Sequence, residues 1–289
     1  MRNHSAIAWP APAKLNLFLH VTGQREDGYH ELSTAFQFLD LADGLHFSPR
    51  MDGEICLLGT LPGVAPESNL VVRAARLLAA ETGIAAGVDI RLDKRIPVGG
   101  GLGGGSSDAA TTLVVLNRIW RAGLDEERLA ALGLTLGADV PVFARGAAAW
   151  AEGVGEKLIP QAFEQYWYVV LDPGVAVSTA AVFAAPELTR DGSRATISRF
   201  SMGEERNDCE PVVRKHYPKV ARALDWLAER GPARLTGTGG CLFGWYARRE
   251  QAEAIAAEVA APWRAWVARG CNRSPLLDAL ETSGDAGNL

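Results

Sequence analysis

The residues with the clearest chemical use form a run from Gly99 to Gly105, in which six of seven positions are glycine. Without Cβ atoms the backbone N–H groups of the run are unobstructed, and apolar residues at helical spacing follow it. Free N–H groups and the positive end of the dipole at a helix start bind anions, most often phosphate. Ser106 and Ser107 add hydroxyls for a phosphate oxygen or its Mg²⁺. The simpler alternative is a flexible turn capped by Ser106, but a turn needs only one or two glycines.

Two common nucleotide-binding loops do not fit this run. Gly99, Gly101 and Gly104 match G-x-G-x-x-G, but the strand before them alternates apolar with charged residues. A Rossmann first strand is instead buried on both faces. A Walker A loop requires Lys-Ser or Lys-Thr after its last glycine, whereas Gly105 precedes two serines. The run is therefore predicted to be a phosphate loop of another kind.

Two charged residues are candidates for catalysis. Asp139 lies between a glycine and a proline in Gly137-Ala-Asp-Val-Pro141, where a carboxylate can be immobilised and partly desolvated, as a base or an ion-pairing residue requires. Lys14 lies in Pro12-Ala-Lys-Leu-Asn16, at the beginning of a strand pattern. Taken alone, such an aspartate is more often a cap or turn former, and such a lysine is more often a solvated charge at a strand edge.

Two further segments carry weaker signals of their own. Tyr29 and His30 follow a loop with the turn residue Gly28, and a single histidine is no metal site. A second glycine-rich loop, Thr236-Gly-Thr-Gly-Gly240, lies between strand-like flanks, and a simple strand connection would explain it.

Strands and helices must position these candidates, and the hydrophobic spacing predicts both. Apolar residues two apart indicate strands, and apolar residues at i, i+4, i+7 and i+8 indicate helices. Ser68 is the predicted cap of a helix that stops at Gly83. Strands are predicted over residues 14–21, 33–41, 88–92 and 168–171, and helices over 68–83, 109–120, 126–132, 178–183 and 220–231.

The order of these elements predicts the fold class. Strands and helices mix without strict βαβ alternation, which favours α+β over a doubly wound sheet. From Gln161 the chain looks like a second unit. We therefore expect two domains, residues 1–160 and 161–289.

The composition narrows the class of protein. The 289 residues, 48% of them apolar, suffice for two domains with sizeable cores. A formal charge of −5 argues against non-specific nucleic-acid binding, although local sites for small anions stay open. The four cysteines are widely spaced, without CxxC or a nearby histidine, which indicates reduced thiols. No apolar signal segment and no membrane-spanning run occur, so we expect a cytoplasmic protein without a membrane partner.

Taken together, three motifs in this order resemble those of the GHMP kinases: Pro12-Ala-Lys-Leu-Asn16, the run from Pro97 to Ser107, and Thr236-Gly-Thr-Gly-Gly240. Within that family the match is closest to a branch whose alcohol substrate carries a cytidine diphosphate. The resemblance runs from about Trp9 to Leu277. It includes Asp27-Gly-Tyr-His30, Gly137-Ala-Asp-Val-Pro141, Glu152-Gly-Val-Gly-Glu156, Asn207-Asp208 and Gly270-Cys-Asn-Arg-Ser-Pro275.

The resemblance implies a two-domain α+β kinase with its active site in the cleft between the domains. Asp139 would be the catalytic base and Lys14 its charged partner. ATP would place its adenosine near Asn69 and Lys94. Its phosphates, with Mg²⁺ whose ligands the resemblance leaves unassigned, would lie along Pro97, Val98, Gly99, Gly100, Gly101, Leu102, Gly103, Gly104, Gly105, Ser106 and Ser107. The cytidine-bearing substrate would contact Asn16, Tyr29, His30, Phe183, Gly237, Thr238 and Gly239.

Two finer expectations concern the cytosine of the substrate and the carboxylate of Asp108. Tyr29 and Phe183 are expected to stack on the two faces of the cytosine, while His30 reads its polar edge. Asp108, beside the phosphate loop, would repel a phosphate unless it points away. A homoserine or mevalonate kinase of the same family is the nearer alternative, against which the Tyr29-His30 pair argues. A non-catalytic nucleotide sensor is the other, and it should lack Asp139 or Lys14.

Overall fold

The architecture is a mostly antiparallel sheet covered by helices, described by a computed structural model for residues 7–61, 63–192, 195–197, 200, 202–203 and 205–285. The strands in these ranges are β1 (Trp9–Gln24), β2 (His30–Arg50), β3 (Ile55–Leu58), β4 (Gly87–Asp93), β5 (Ala149–Gly153), β6 (Lys157–Pro160), β7 (Trp167–Asp172), β8 (Ala233–Leu235), β9 (Leu242–Tyr246) and β10 (Arg264–Cys271). The helices are α1 (Leu70–Thr82), α2 (Gly104–Ile119), α3 (Glu126–Leu136), α4 (Val140–Arg145), α5 (Thr179–Ala184), α6 (Glu210–His216), α7 (Pro218–Ala228), α8 (Arg249–Ala257) and α9 (Pro275–Asp285). The α+β class is confirmed.

Strand β2 organises the sheet, because four strands pair with it. β1, β4 and β5 pair with β2 in antiparallel register, and Phe38 and Leu39 of β2 pair with the end of β10. The rest of β10 pairs with β7, after which β9 and β8 follow. β10 therefore joins the strands of the two halves of the chain into one sheet.

Apolar residues from both halves form three buried clusters. Helices α1 to α4 enclose the first with β1, β2 and β4, for example through Phe47 and Leu113. Helices α5 to α8 enclose the second with β7 to β9, for example through Val169 and Leu224. The third contains Phe18, Trp150 and Phe243, where the halves meet. Among the described residues, no helix is long and apolar enough to cross a membrane.

Helix α1 shows how local signals set an element's ends. Its cap is Asn69, whose side-chain oxygen accepts a hydrogen bond from the N–H of Val71 at 3.0 Å. The prediction that Ser68 caps this helix is wrong, because Ser68 belongs to a preceding 3-10 turn, Pro66–Ser68. The predicted stop is confirmed, since Gly83 has a left-handed φ of 68°.

Helix α2 begins earlier than its apolar spacing indicates. It starts at Gly104, inside the glycine run, whereas the periodic residues begin at Ala109. Glycine has a low helix propensity, so the sequence pattern hides this first turn. As a result the last residues of the phosphate loop are themselves the helix start.

The end of the chain returns to the N-terminal half. Cys271 pairs with Phe38 of β2, and Ala147 forms an isolated bridge with Arg273. Leu276 of α9 is buried in the first apolar cluster. The division at residues 160 and 161 stays a prediction, with α9 packed on the N-terminal side of it.

Candidate active site

A cavity of about 620 Å³ lies between the two halves, with the phosphate loop and the second glycine loop in its wall. Many of the predicted site residues line it: Lys14, Asn16, Tyr29, His30, Gly101, Gly103, Ser106, Asp139, Phe183, Gly237 and Thr238. The fold therefore brings these residues to one place. The other predicted site residues are not among those that line the cavity: Asn69, Lys94, Pro97, Val98, Gly99, Gly100, Leu102, Gly104, Gly105, Ser107 and Gly239.

The ion pair between Lys14 and Asp139 is the chemical centre of this cavity. The ammonium of Lys14 lies 3.2 Å from Oδ2 of Asp139 and 5.2 Å from the centroid of the Phe36 ring. Its side chain is only 4% exposed, whereas the Asp139 side chain is 33% exposed. A carboxylate held by a buried cation and open to the cavity is suited to accept a proton from a bound alcohol.

Backbone contacts hold both members of this pair. The N–H of Lys14 donates to the carbonyl of Leu102 at 2.9 Å, so β1 is bonded directly to the phosphate loop. Asp139 occupies the cap position of α4 but makes no side-chain cap bond there. Pro141, the second residue of that helix, has its φ already set by its ring. The carboxylate therefore remains available to Lys14 and to the cavity.

The phosphate loop has the geometry of an anion site. Gly99, Gly101 and Gly103 have φ between 70° and 78°, values that favour glycine. The first bond of α2 runs from the N–H of Ser107 to the carbonyl of Gly103 at 2.8 Å. The N–H groups before Ser107 therefore have no partner within the helix, and they mark its positive end.

The two serines after the loop differ in position. Ser106 lines the cavity beside Gly103. Ser107 is fully buried, and its hydroxyl has no hydrogen-bond partner among the described residues. In the described ranges no group of three His, Cys, Asp or Glu side chains could hold a metal ion. Of the two hydroxyls, that of Ser106 is the one placed to meet a phosphate or its cation.

Lys94, predicted near adenosine, bridges two buried carboxylates. Its ammonium bonds to Asp43 and lies 2.8 Å from Oδ2 of Asp108. Asp43, which the sequence analysis missed, also accepts the N–H groups of Arg95 and Ile96 at 2.5 and 2.8 Å. Burial, with the nearby Asp43 carboxylate, raises the pKa of Asp108 to about 7 despite the attraction of Lys94. Asp108 thus points to Lys94 and is covered by protein.

Asn69 and Lys94 both flank the first turn of α2. A Cβ at Gly104 would lie 3.3 Å from the Lys94 ammonium, and a Cβ at Gly105 would lie 3.5 Å from Leu70, next to Asn69. The Oδ1 of Asn69 is already used to cap α1. Their predicted contacts with adenosine stay predictions.

The two glycine loops touch each other through their backbones. The N–H of Cys241 donates to the carbonyl of Gly100 at 3.0 Å, and a Cβ at Gly101 would lie 2.2 Å from the carbonyl oxygen of Thr236. Asn207 supports the second loop, because its Nδ2 donates to the carbonyls of Leu235 and Gly237 at 2.9 and 2.8 Å. The second glycine loop therefore contacts the phosphate loop in addition to connecting β8 with β9.

Two aromatic side chains of the cavity wall, His30 and Phe183, are held by a neighbouring arginine. The rings of His30 and Phe183 stack with centroids 4.9 Å apart and an angle of 24°. Arg190 donates from Nε to Nε2 of His30 at 3.3 Å and from Nη2 to the carbonyl of Phe183 at 3.0 Å. Arg190 has no motif around it, so the sequence shows no sign of this contact. Tyr29 lines the cavity but is 64% exposed.

The protonation of His30 follows from its partners. Burial and the charge of Arg190 lower the pKa of His30 below its ordinary value, so the ring is neutral at pH 7. A guanidinium only donates, so Nε2 accepts and the ring proton lies on Nδ1. His30 therefore carries one N–H donor.

Both halves of the chain are similar to known protein domains. The family model for the GHMP kinases N terminal domain matches residues 69–147, and that for the GHMP kinases C terminal matches residues 185–265. The chain belongs to the GHMP kinases. The first match contains the phosphate loop and Asp139 of this GHMP kinase, and the second contains its second glycine loop. Lys14 lies outside both matches.

Individual relatives extend the comparison to the whole chain. A 4-diphosphocytidyl-2-C-methyl-D-erythritol kinase from Halorhodospira halophila is 57% identical to this GHMP kinase over 282 residues, covering 96% of the chain and 98% of its own length. The crystal structure of a 4-(cytidine 5'-diphospho)-2C-methyl-D-erythritol kinase superposes with a TM-score of 0.81 at 36% identity, covering 91% of the chain and 99% of its own. A mevalonate kinase structure, at 15% identity, a TM-score of 0.71 and coverages of 92% and 100%, shows a common fold alone.

Proposed function

We propose that this GHMP kinase transfers the γ-phosphoryl group of ATP to the 2-hydroxyl of 4-diphosphocytidyl-2-C-methyl-D-erythritol, in non-mevalonate isoprenoid precursor biosynthesis. The observation that carries the proposal is the ion pair of Lys14 and Asp139, which faces a cavity bounded by both glycine loops. The 57% identity to a relative with this name supports the choice of substrate.

Asp139 is the proposed general base. The 2-hydroxyl is tertiary, because its carbon also bears a methyl group, and an alcohol is a poor nucleophile without a base. The half-buried Asp139 carboxylate would accept the hydroxyl proton as the new O–P bond forms. Lys14 holds the carboxylate in place and adds positive charge beside the transferred phosphoryl group, which carries negative charge in the transition state.

The phosphate loop is proposed to bind ATP through its backbone. The N–H groups of Gly104, Gly105 and Ser106 at the start of α2 would donate to the phosphates, as a helix N-terminus does for anions. Mg²⁺ in proteins is usually held by one or two protein oxygens together with phosphates and water. The hydroxyl of Ser106 in the cavity wall is such an oxygen. Mg²⁺ would supply positive charge that stabilises the charge developing on the phosphates.

The wall of His30, Phe183 and Tyr29 is proposed to bind the cytosine. Stacked aromatic rings bind a base through its faces, and His30, by its main chain or its side chain, would donate an N–H to one of the acceptors on the cytosine edge. One face of Phe183 already packs on His30. The cytosine would therefore stack on the other face of Phe183, and Tyr29 would cover the opposite face of the cytosine from its exposed loop. Gly237, Thr238 and Gly239 would position the erythritol and phosphate portion from the other half.

The two alternatives are less well supported by this site. Mevalonate and homoserine have no aromatic ring for the wall of His30 and Phe183 to bind. A nucleotide sensor has no use for a base, yet Asp139 and Lys14 are both present and lie 3.2 Å apart.

A turnover assay tests the proposed function. The protein is incubated with MgATP and, separately, with the cytidine substrate, mevalonate or homoserine, and the products are read by ³¹P NMR. We expect a new phosphomonoester with the cytidine substrate alone. Transfer to mevalonate or homoserine instead would favour the first alternative, and tight ATP binding without any transfer would favour the sensor.

A further inference from the structure

A continuous hydrogen-bond chain leads from the catalytic lysine into the sheet. The Lys14 ammonium donates to Oδ1 of Asn16 at 2.5 Å, and Nδ2 of Asn16 donates to the hydroxyl of Thr34 at 3.0 Å. That hydroxyl in turn donates to the carbonyl of Phe18. Asn16 and Thr34 are both buried, at the border of the cavity.

The two ends of the chain allow only one order of donors and acceptors. The Phe18 carbonyl can only accept, so the single proton of the Thr34 hydroxyl is used on it. The hydroxyl oxygen must then accept from Asn16, which requires the NH₂ side of the amide. The Oδ1 side consequently faces Lys14, whose ammonium can only donate. The Lys14 ammonium at one end and the Phe18 carbonyl at the other therefore fix the orientation of the Asn16 amide.

A bulge in β1 explains why this hydroxyl is needed. Asn16 faces Phe36 and Leu19 faces Thr34, so β1 has one more residue than β2 in this interval. Buried carbonyls at a bulge need partners from elsewhere. The Leu17 carbonyl accepts from the buried Arg234 guanidinium, and the Phe18 carbonyl accepts from Thr34.

We propose that Thr34 is a positioning residue, which fixes the amide of Asn16 and through it holds Lys14 on Asp139. The inference rests on the proposed kinase function. Without the Thr34 hydroxyl the amide can turn its NH₂ towards the ammonium of Lys14, and two donors cannot bond to each other. Lys14 then loses the acceptor that holds it beside Asp139.

Substitution of Thr34 tests this role. Thr34→Val keeps the shape and removes the hydroxyl, so kcat should fall about 10- to 100-fold while KM for ATP changes little, as for misplacement of a catalytic group. Thr34→Ser restores the hydroxyl and should return kcat to within about threefold of the wild type. The matched control is Thr112→Val, which removes a buried hydroxyl bonded to the Asp108 carbonyl at 2.8 Å. Equal kcat values for Thr34→Val and Thr112→Val would overturn the proposal.

A double-mutant cycle with Asn16→Ala separates positioning from general damage. If Thr34 acts through Asn16, Thr34→Val should lower kcat no further in the Asn16→Ala background, whereas a full additional decrease would overturn the proposal. The cycle is read on whichever of the three alcohols the wild type phosphorylates. If the wild type phosphorylates mevalonate or homoserine but not the cytidine substrate, the proposed substrate is refuted. The role of Thr34 can still be tested on the alcohol that is phosphorylated.

Discussion

At the residue scale, the sequence predicted the catalytic candidates and missed buried polar residues whose partners lie elsewhere in the chain. Lys14 and Asp139 lie in short motifs with glycine and proline neighbours, and the structure brings them to 3.2 Å. Thr34 and Asp43 lie in the long strand β2, where a threonine or a single carboxylate has no local signal. Their roles depend on contacts with distant segments, Phe18 for one and Lys94 for the other.

The base is tested by Asp139→Asn, which keeps the shape and removes the proton acceptor. We expect kcat to fall about 10²- to 10⁴-fold, with KM for the alcohol little changed, because the carboxylate acts on the proton in the transition state. Asp125→Asn is the matched control, since Asp125 also lies at a helix cap and asparagine still caps well. Near-normal kcat in Asp139→Asn would refute the assignment.

The aromatic wall is tested by Phe183→Ala and Tyr29→Ala. Stacking of a base on an aromatic ring contributes about 1–3 kcal/mol. At about 1.4 kcal/mol per tenfold, each change should raise KM for the cytidine substrate by roughly 5- to 150-fold. KM for ATP is the internal control and should not change. Equal effects on both substrates, or none on either, would show that these rings do not bind the base.

At the element scale, the sequence predicted a phosphate loop followed by a helix, and the structure adds that the two glycine loops are in contact. Gly101 is glycine for two reasons, its φ of 78° and the Thr236 carbonyl beside it. Only the first can be inferred from a local pattern. The second comes from a segment far along the chain, so the sequence alone could not reveal it.

Gly101→Ala and Gly99→Ala separate these two reasons. Both positions have positive φ, but a Cβ at Gly99 meets nothing within 4 Å, whereas at Gly101 it lies 2.2 Å from Thr236. MgATP at about 100 Kd should stabilise the wild type by roughly 2.7 kcal/mol in thermal unfolding. We expect Gly101→Ala to bind MgATP at least about tenfold more weakly, which removes about 1.4 kcal/mol of that gain. Equal losses in both variants would contradict the contact between the loops.

At the scale of the whole molecule, the sequence predicted the α+β class and a second unit, but it did not predict how the halves join. β10 pairs with β7 along most of its length and with β2 at its end. No periodicity of a single strand can show two partners. The buried group of Asp43, Lys94 and Asp108 was also hidden, since its members come from β2, the segment after β4, and α2.

This buried group predicts a pH dependence of stability. Because the folded pKa of Asp108 is about 7 and its ordinary value is 3.8, the folded state keeps a proton between these values that the unfolded state has released. The free energy of unfolding therefore decreases as the pH rises through this window. Urea unfolding should show that Asp108→Asn gains stability relative to the wild type from about pH 4 to about pH 7. An unchanged difference between variant and wild type would contradict the raised pKa of the buried Asp108.

The central claim, phosphorylation of a cytidine-bearing alcohol by this GHMP kinase, is tested most directly by competition. The wild type and Asp139→Asn are each given MgATP and an equal mixture of the cytidine substrate, mevalonate and homoserine, and the phosphorylated products are quantified by mass spectrometry. We predict that the wild type phosphorylates the cytidine substrate almost exclusively and that Asp139→Asn loses this activity. Phosphomevalonate or phosphohomoserine as the main product, or an undiminished yield from Asp139→Asn, would contradict the account.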